Sequence, residues 1–188
     1  MFNWYDKEVG NLRPTALGGC LLEWWKDLED DRASRAILRR ADSVTSVALS
    51  APYQRLYRRL LNVGWPENAP AYRNDHLAAL VALLAHVRGD VDGKKQKNGV
   101  LSLPEAMSVR KKETDRPVVS ELRFLRLLDS PDLEDLFTGL RRVLPLLVKT
   151  VDGKALDILA LADDVLSWSD SVKKRWAYAY QWPDKTKQ

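Results

Sequence analysis

Seven arginines at helical spacing are the residues of this sequence whose type and placement could do chemistry. Arg35, Arg39 and Arg40 lie together in the N-terminal half, and Arg123, Arg126, Arg141 and Arg142 in the C-terminal third. A guanidinium stays charged at any working pH and offers planar, paired donors that match phosphate oxygens. Such groups along a helix grip a sugar-phosphate chain without reading its bases. The competing reading is that they solvate helix exteriors or pair with acids such as Glu121, Glu134 and Asp135. Lys94, Lys95, Lys97, Arg110, Lys111 and Lys112 could follow a flexible strand by charge alone, or simply keep a linker in water.

Other chemistries lack their constellations. His76 and His86 are the only histidines, and with Cys20 they do not have the close spacing of a zinc site. The carboxylates of Glu29-Asp30-Asp31 and Asp163-Asp164 occupy adjacent helix positions, which point in different directions. Gly89 to Lys95 has the look of a phosphate loop, but it is one residue short, follows a helix, and has Lys95 where a magnesium-binding hydroxyl belongs. Ser120 and Ser130 have no histidine nearby in sequence and suit helix starts. The expectation is a non-enzyme without metal or cofactor.

Charge placement matters because the balance is close: 30 Lys and Arg against 26 Asp and Glu, a formal net charge of +4. Residues Met1 to Leu12 lack the basic start and apolar run of a secretory signal. The longest apolar run, Leu77 to Ala85, is far shorter than the roughly 20 residues a bilayer requires. It reads as a core helix of a soluble, cytoplasmic protein, with Cys20 a small buried hydrophobe.

The elements that would carry the arginines are helices. Leu21, Trp25 and Leu28, widened by Trp24, mark a helix over 16–28. In Arg32 to Ala41, Ala33, Ile37 and Ala41 would face inward, opposite Arg32, Arg35 and Arg39. Pro52 opens a helix with Tyr53, Leu56, Tyr57 and Leu60 on one side and Arg55, Arg58 and Arg59 on the other. His76 to Val87 is apolar nearly all round and reads as the N-terminal core. Glycine, lysine and glutamine then dominate 88–98, and a short helix is expected near 104–109. Val118, Leu122, Leu125 and Leu128 mark a further helix. Ser130 and Pro131 cap the next, in which Leu133, Leu136, Phe137, Leu140, Leu144 and Leu147 recur and Pro145 introduces a bend. The last two helices are expected over 155–168, with Asp163 and Asp164 outside, and around Val172, Trp176 and Tyr180. Trp24, Trp25, Trp168 and Trp176 fit core packing, whereas Trp4, Trp65 and Trp182 fall outside clear periodicity.

The pattern predicts an all-α protein: an N-terminal bundle over 1–92, a basic linker over 93–116 containing a short helix, and a C-terminal bundle over 117–188. The ordered set Ser120, Arg123, Phe124, Leu140-Arg141-Arg142, Trp168, Trp176-Ala177 and Tyr180 resembles the CasB family, the small subunit of the type I-E CRISPR Cascade complex. Trp24, Trp25, Arg35 and Leu38-Arg39-Arg40 resemble that family's first helices. The resemblance implies two small bundles, no active site, and a pair of copies packed along crRNA-binding subunits beside a large subunit. It also implies contacts to crRNA and target DNA, including the displaced strand, that stabilise the R-loop in antiviral defence. Without the resemblance, the pattern also suits a helical interaction module whose arginines dock acidic protein partners.

Overall fold

Hydroxyls and carboxylates at the helix starts take up backbone N–H groups that a first turn leaves unbonded. The computed structural model describes residues 4–6, 13–88, 100–111, 113–147 and 155–183. Within them the chain forms α1 (Ala16–Asp27), α2 (Arg32–Arg40), α3 (Val44–Ala48), α4 (Ala51–Asn62) and α5 (Ala71–Leu84). These are followed by α6 (Leu103–Ser108), α7 (Glu121–Leu128), α8 (Leu133–Leu147), α9 (Ile158–Leu166) and α10 (Asp170–Ala179). Thr15 caps α1, Asp31 caps α2, and Ser43 and Ser46 form a reciprocal capping box on α3. Ser50 caps α4, and Pro52 sits in the first turn. Four two-residue strands complete the set: β1 (Tyr5–Asp6) pairs antiparallel with β2 (Arg13–Pro14), and β3 (Val100–Leu101) pairs parallel with β4 (Ala155–Leu156).

The chain divides into two compact units, and the first joins Met1–Arg88 with Ile158–Ser167. Its centre is α5, in which every residue from Leu77 to Leu84 is buried, as all-round apolarity requires. Each buried Leu or Val there contributes about 1.5–3 kcal/mol. Around it pack α2, α3 and α9, while α1 and α4 pack on each other. Trp25 on α1 donates its indole N–H to the carbonyls of Leu84 and Val87, at 3.2 and 3.3 Å, tying α1 to the end of α5. Gly18 is required by close approach, since a Cβ there would collide with the Trp4 carbonyl oxygen.

The second unit joins Gly89–Asp157 with Trp168–Gln188. Phe124 on α7 stacks on Tyr180 with ring centroids 4.1 Å apart, and the Tyr180 hydroxyl donates to the Val119 carbonyl at 2.7 Å. Burial pushes the Tyr180 phenol up to about 12. Within the expected linker, residues 100–111 contribute β3 and α6. Leu103, Ala106 and Met107 are buried, and α6 packs against α10. Gly139 lets α8 approach α7, because a Cβ there would lie 2.5 Å from Leu127 Cδ2.

Several expected faces are corrected. In α2 the buried residues are Ser34, Arg35 and Leu38, whereas Ile37 is 47% exposed. In α7 the inward residues are Phe124 and Leu127, while Leu122 is 61% exposed. Asp164 is buried, not outside, and the helix bearing it belongs to the first unit although it falls within 117–188. Ala155 and Leu156, expected to be helical, form β4. The cap of α8 is Asp132, whose carboxylate accepts from the Asp135 N–H at 2.9 Å, rather than Ser130. Trp4 and Trp65 prove to be fully buried.

Candidate nucleic-acid interface

Arg35 lies in the interior of the first unit, only 4% exposed. Its terminal nitrogens donate to both carboxylate oxygens of Glu29 at 3.0 Å, and Nη2 also reaches the Val87 carbonyl at 3.3 Å. Donors committed in this way point into the first unit, which sets Arg35 apart from the outward arginines expected to share its role. The inward turn follows from its partners: Glu29 precedes α2, and Val87 follows α5, so Arg35 fastens the turn after α1 to the end of the core helix.

Arg39 and Arg40 are exposed in the last turn of α2, where cations complement the negative end of the helix dipole. Arg55 on α4 donates to the hydroxyl of the buried Ser34 at 2.9 Å, which joins α4 to the inner side of α2. Arg59 is turned toward acids, 4.0 Å from Glu23 and 3.6 Å from Asp27, while Arg58 is exposed. Asp31, the exposed cap of α2, is held below the usual carboxylate range by hydrogen bonds from Ser34, with the Arg55 charge a smaller cause. Cys20 lies near Arg59, but burial pushes its thiol up.

In the second unit, Arg123 and Arg126 are exposed one turn apart on α7. Arg142 is exposed on α8, and the half-buried Arg141 lies over the Phe137 ring, 5.3 Å from its centroid. Of the expected linker cations, Arg110 pairs with Asp115 at 2.9 Å and Lys111 is exposed. Lys94, Lys95, Lys97 and Lys112 lie outside the described residues, as does the loop Gly89–Lys95.

The spacing of Val172, Trp176 and Tyr180 predicts one inner side for α10 and its C-cap residue Tyr180, and all three are buried. On the opposite side Lys174 and Arg175 are exposed, cations that reading the apolar stripe alone passes over. Lys173 turns inward, donating to the Ser130 carbonyl at 3.1 Å and lying over the Trp168 ring. Among the described residues no group of three or more His, Cys, Asp or Glu side chains is placed to hold a metal ion. No described helix is long and apolar enough to cross a membrane.

These surfaces offer fixed positive charge and directional N–H donors, which is the chemistry of anion and phosphate binding. The family model for CRISPR-associated protein Cse2 matches residues 34–180, a span containing all seven candidate arginines. Searches of the curated proteins and of the solved structures returned no match. Because the matched span takes in well over half of the sequence, the chain belongs to the Cse2 family, the small subunits of type I-E CRISPR Cascade complexes.

Proposed function

We propose that this chain binds crRNA and target DNA, including the displaced strand, inside a Cascade complex, and steadies the opened target without catalysing a reaction. Opening a duplex for guide pairing exchanges it for a hybrid of similar stability, so modest contacts to phosphates tip the balance. The observation that supports this reading is the outward position of Arg39, Arg40, Arg123, Arg126 and Arg142 within the family-matched span. Contacts from these side chains to phosphate are independent of base sequence, leaving readout to the guide. In the assembled cytoplasmic complex, two copies pack side by side along the crRNA-binding subunits and next to the large subunit.

The test is a chain carrying Arg141→Glu and Arg142→Glu, assembled with the other subunits. Circular dichroism is expected to show an unchanged helical spectrum, and target binding by the complex is expected to weaken. Unchanged target binding, with the fold intact, would remove the α8 arginines from the interface. Loss of assembly with the partner subunits, with binding of free nucleic acid preserved, would favour docking to acidic protein surfaces instead.

A further inference from the structure

Tyr178 is 91% exposed on α10, more than any other large hydrophobic side chain among the described residues. It adds almost nothing to packing, and an aromatic ring is a weaker helix former than Ala, Lys or Glu at an open position. Its surroundings on the helix are specific. Side chains on a helix lean back over the residues three and four positions earlier, which places the phenol above Arg175 and Lys174. Both are exposed, and among the described residues no ion pair engages Lys174. One turn further back on this side stand Ser171 and the exposed Asp170, the latter in the first turn of α10. The opposite side of α10 is anchored by Val172, Trp176 and Tyr180, so the stripe is held on a fixed support.

We propose that Tyr178, flanked by Lys174 and Arg175, is a stacking site for an unpaired base of a single-stranded nucleic acid. This rests on the reading that the chain binds nucleic acid. A face that docks a protein helix presents aliphatic anchors at i, i+3 and i+4. The Ser171, Lys174, Arg175 and Tyr178 stripe has none, offering one open π-face and two cations. Along the axis the cations stand about 4.5–6 Å from the tyrosine position, one turn away, where they meet the phosphate of a nucleotide whose base lies on the ring. Stacking of this kind accepts any base and requires the base to be out of a duplex, so the ligand class is a single strand.

The experiment uses the full chain and a single-stranded oligothymidylate containing 2-aminopurine, whose fluorescence falls when it stacks. Wild-type protein is expected to quench the probe. Tyr178→Ala is expected to abolish the quenching and weaken binding by about 5- to 150-fold, the range for losing one base–aromatic stack. Tyr178→Phe is expected to retain both, since it keeps the ring, and Lys174→Ala to weaken binding while leaving the quenching. If Tyr178→Ala binds and quenches like wild type while the Arg141→Glu, Arg142→Glu chain loses binding, the stacking site is refuted and the broader reading stands. If neither variant changes binding, both fall. A polyglutamate that competes as well as unlabelled oligothymidylate would also overturn the proposal, because the stripe would then be a general site for acidic chains.

Discussion

Arg35 grips Glu29 in a two-pronged pair, each terminal guanidinium nitrogen 3.0 Å from a carboxylate oxygen, six residues apart in sequence. The same guanidinium reaches the Val87 carbonyl, which the Trp25 indole also engages. One arginine therefore closes the turn between α1 and α2 and fixes the exit of α5, while its neighbours Arg39 and Arg40 remain outside.

Removing Arg35 leaves the Val87 carbonyl with one donor fewer and Glu29 without its partner. Breaking a fully buried pair costs about 3–5 kcal/mol. The Glu29 side chain is 41% exposed, so Arg35→Ala is expected to destabilise the first unit by about 2–4 kcal/mol, read as a lower urea midpoint. Arg35→Lys is expected to recover only part of this, since an ammonium does not reproduce the paired fork. At temperatures where the variant is folded, oligonucleotide affinity should match wild type. A selective loss of affinity without loss of stability would restore Arg35 to the binding surface.

The cap of α2 carries a pH dependence of definite sign. Asp31 accepts from the Ser34 N–H at 2.9 Å, and its carboxyl lies below the usual range. A depressed folded pKa means that the ionised cap stabilises above the unfolded value, near 4, and that this contribution is lost as pH falls through the folded value. Asp31→Ala is expected to cost about 1 kcal/mol at neutral pH, and the difference from wild type should shrink toward pH 3. Asp31→Asn keeps an acceptor and should show a smaller, flatter difference. Urea titrations at several pH values measure both.

Gly18 tests the seat of the N-terminal strand. A Cβ at this position meets the Trp4 carbonyl oxygen, which already accepts from the Thr15 N–H at 2.9 Å. Backbone cannot yield as a side-chain tip does, so Gly18→Ala is expected to destabilise by about 1–3 kcal/mol despite the better helix propensity of alanine. Gly19→Ala, where a Cβ would meet nothing within 4 Å, is the control and should be neutral or stabilising. Equal stability for the two variants would contradict the contact.

These positions separate what the sequence reveals from what it conceals. The burial of Leu77 to Leu84 was legible because an all-round apolar helix has only one place to go, and the split of α4 into Tyr53, Leu56 and Leu60 against Arg55, Arg58 and Arg59 follows from the 3.6-residue period. The orientation of α2 was not, because its nine residues hold few apolar side chains and the deciding partners of Arg35 lie at Glu29 and Val87, the second 52 residues away. In α7, leucines sit on several sides of a short helix, and the choice of Phe124 and Leu127 over Leu122 is made by Tyr180 and Gly139, far along the chain. The return of α9 to the first unit likewise depends on α5 and α1, which local periodicity does not register. Of the seven candidate arginines, the types and spacing were readable, but the burial of one was a tertiary effect.

The central claim, that exposed arginines hold nucleic acid through its phosphates, is tested most directly by the salt dependence of binding. The logarithm of affinity for a single-stranded oligonucleotide, plotted against the logarithm of salt concentration, should fall with a slope of about −0.7 per phosphate engaged, so four contacts give about −3. Arg141→Glu with Arg142→Glu should weaken binding and make that slope shallower. A flat plot for the wild-type chain, or a slope that the double substitution leaves unchanged, would contradict the account.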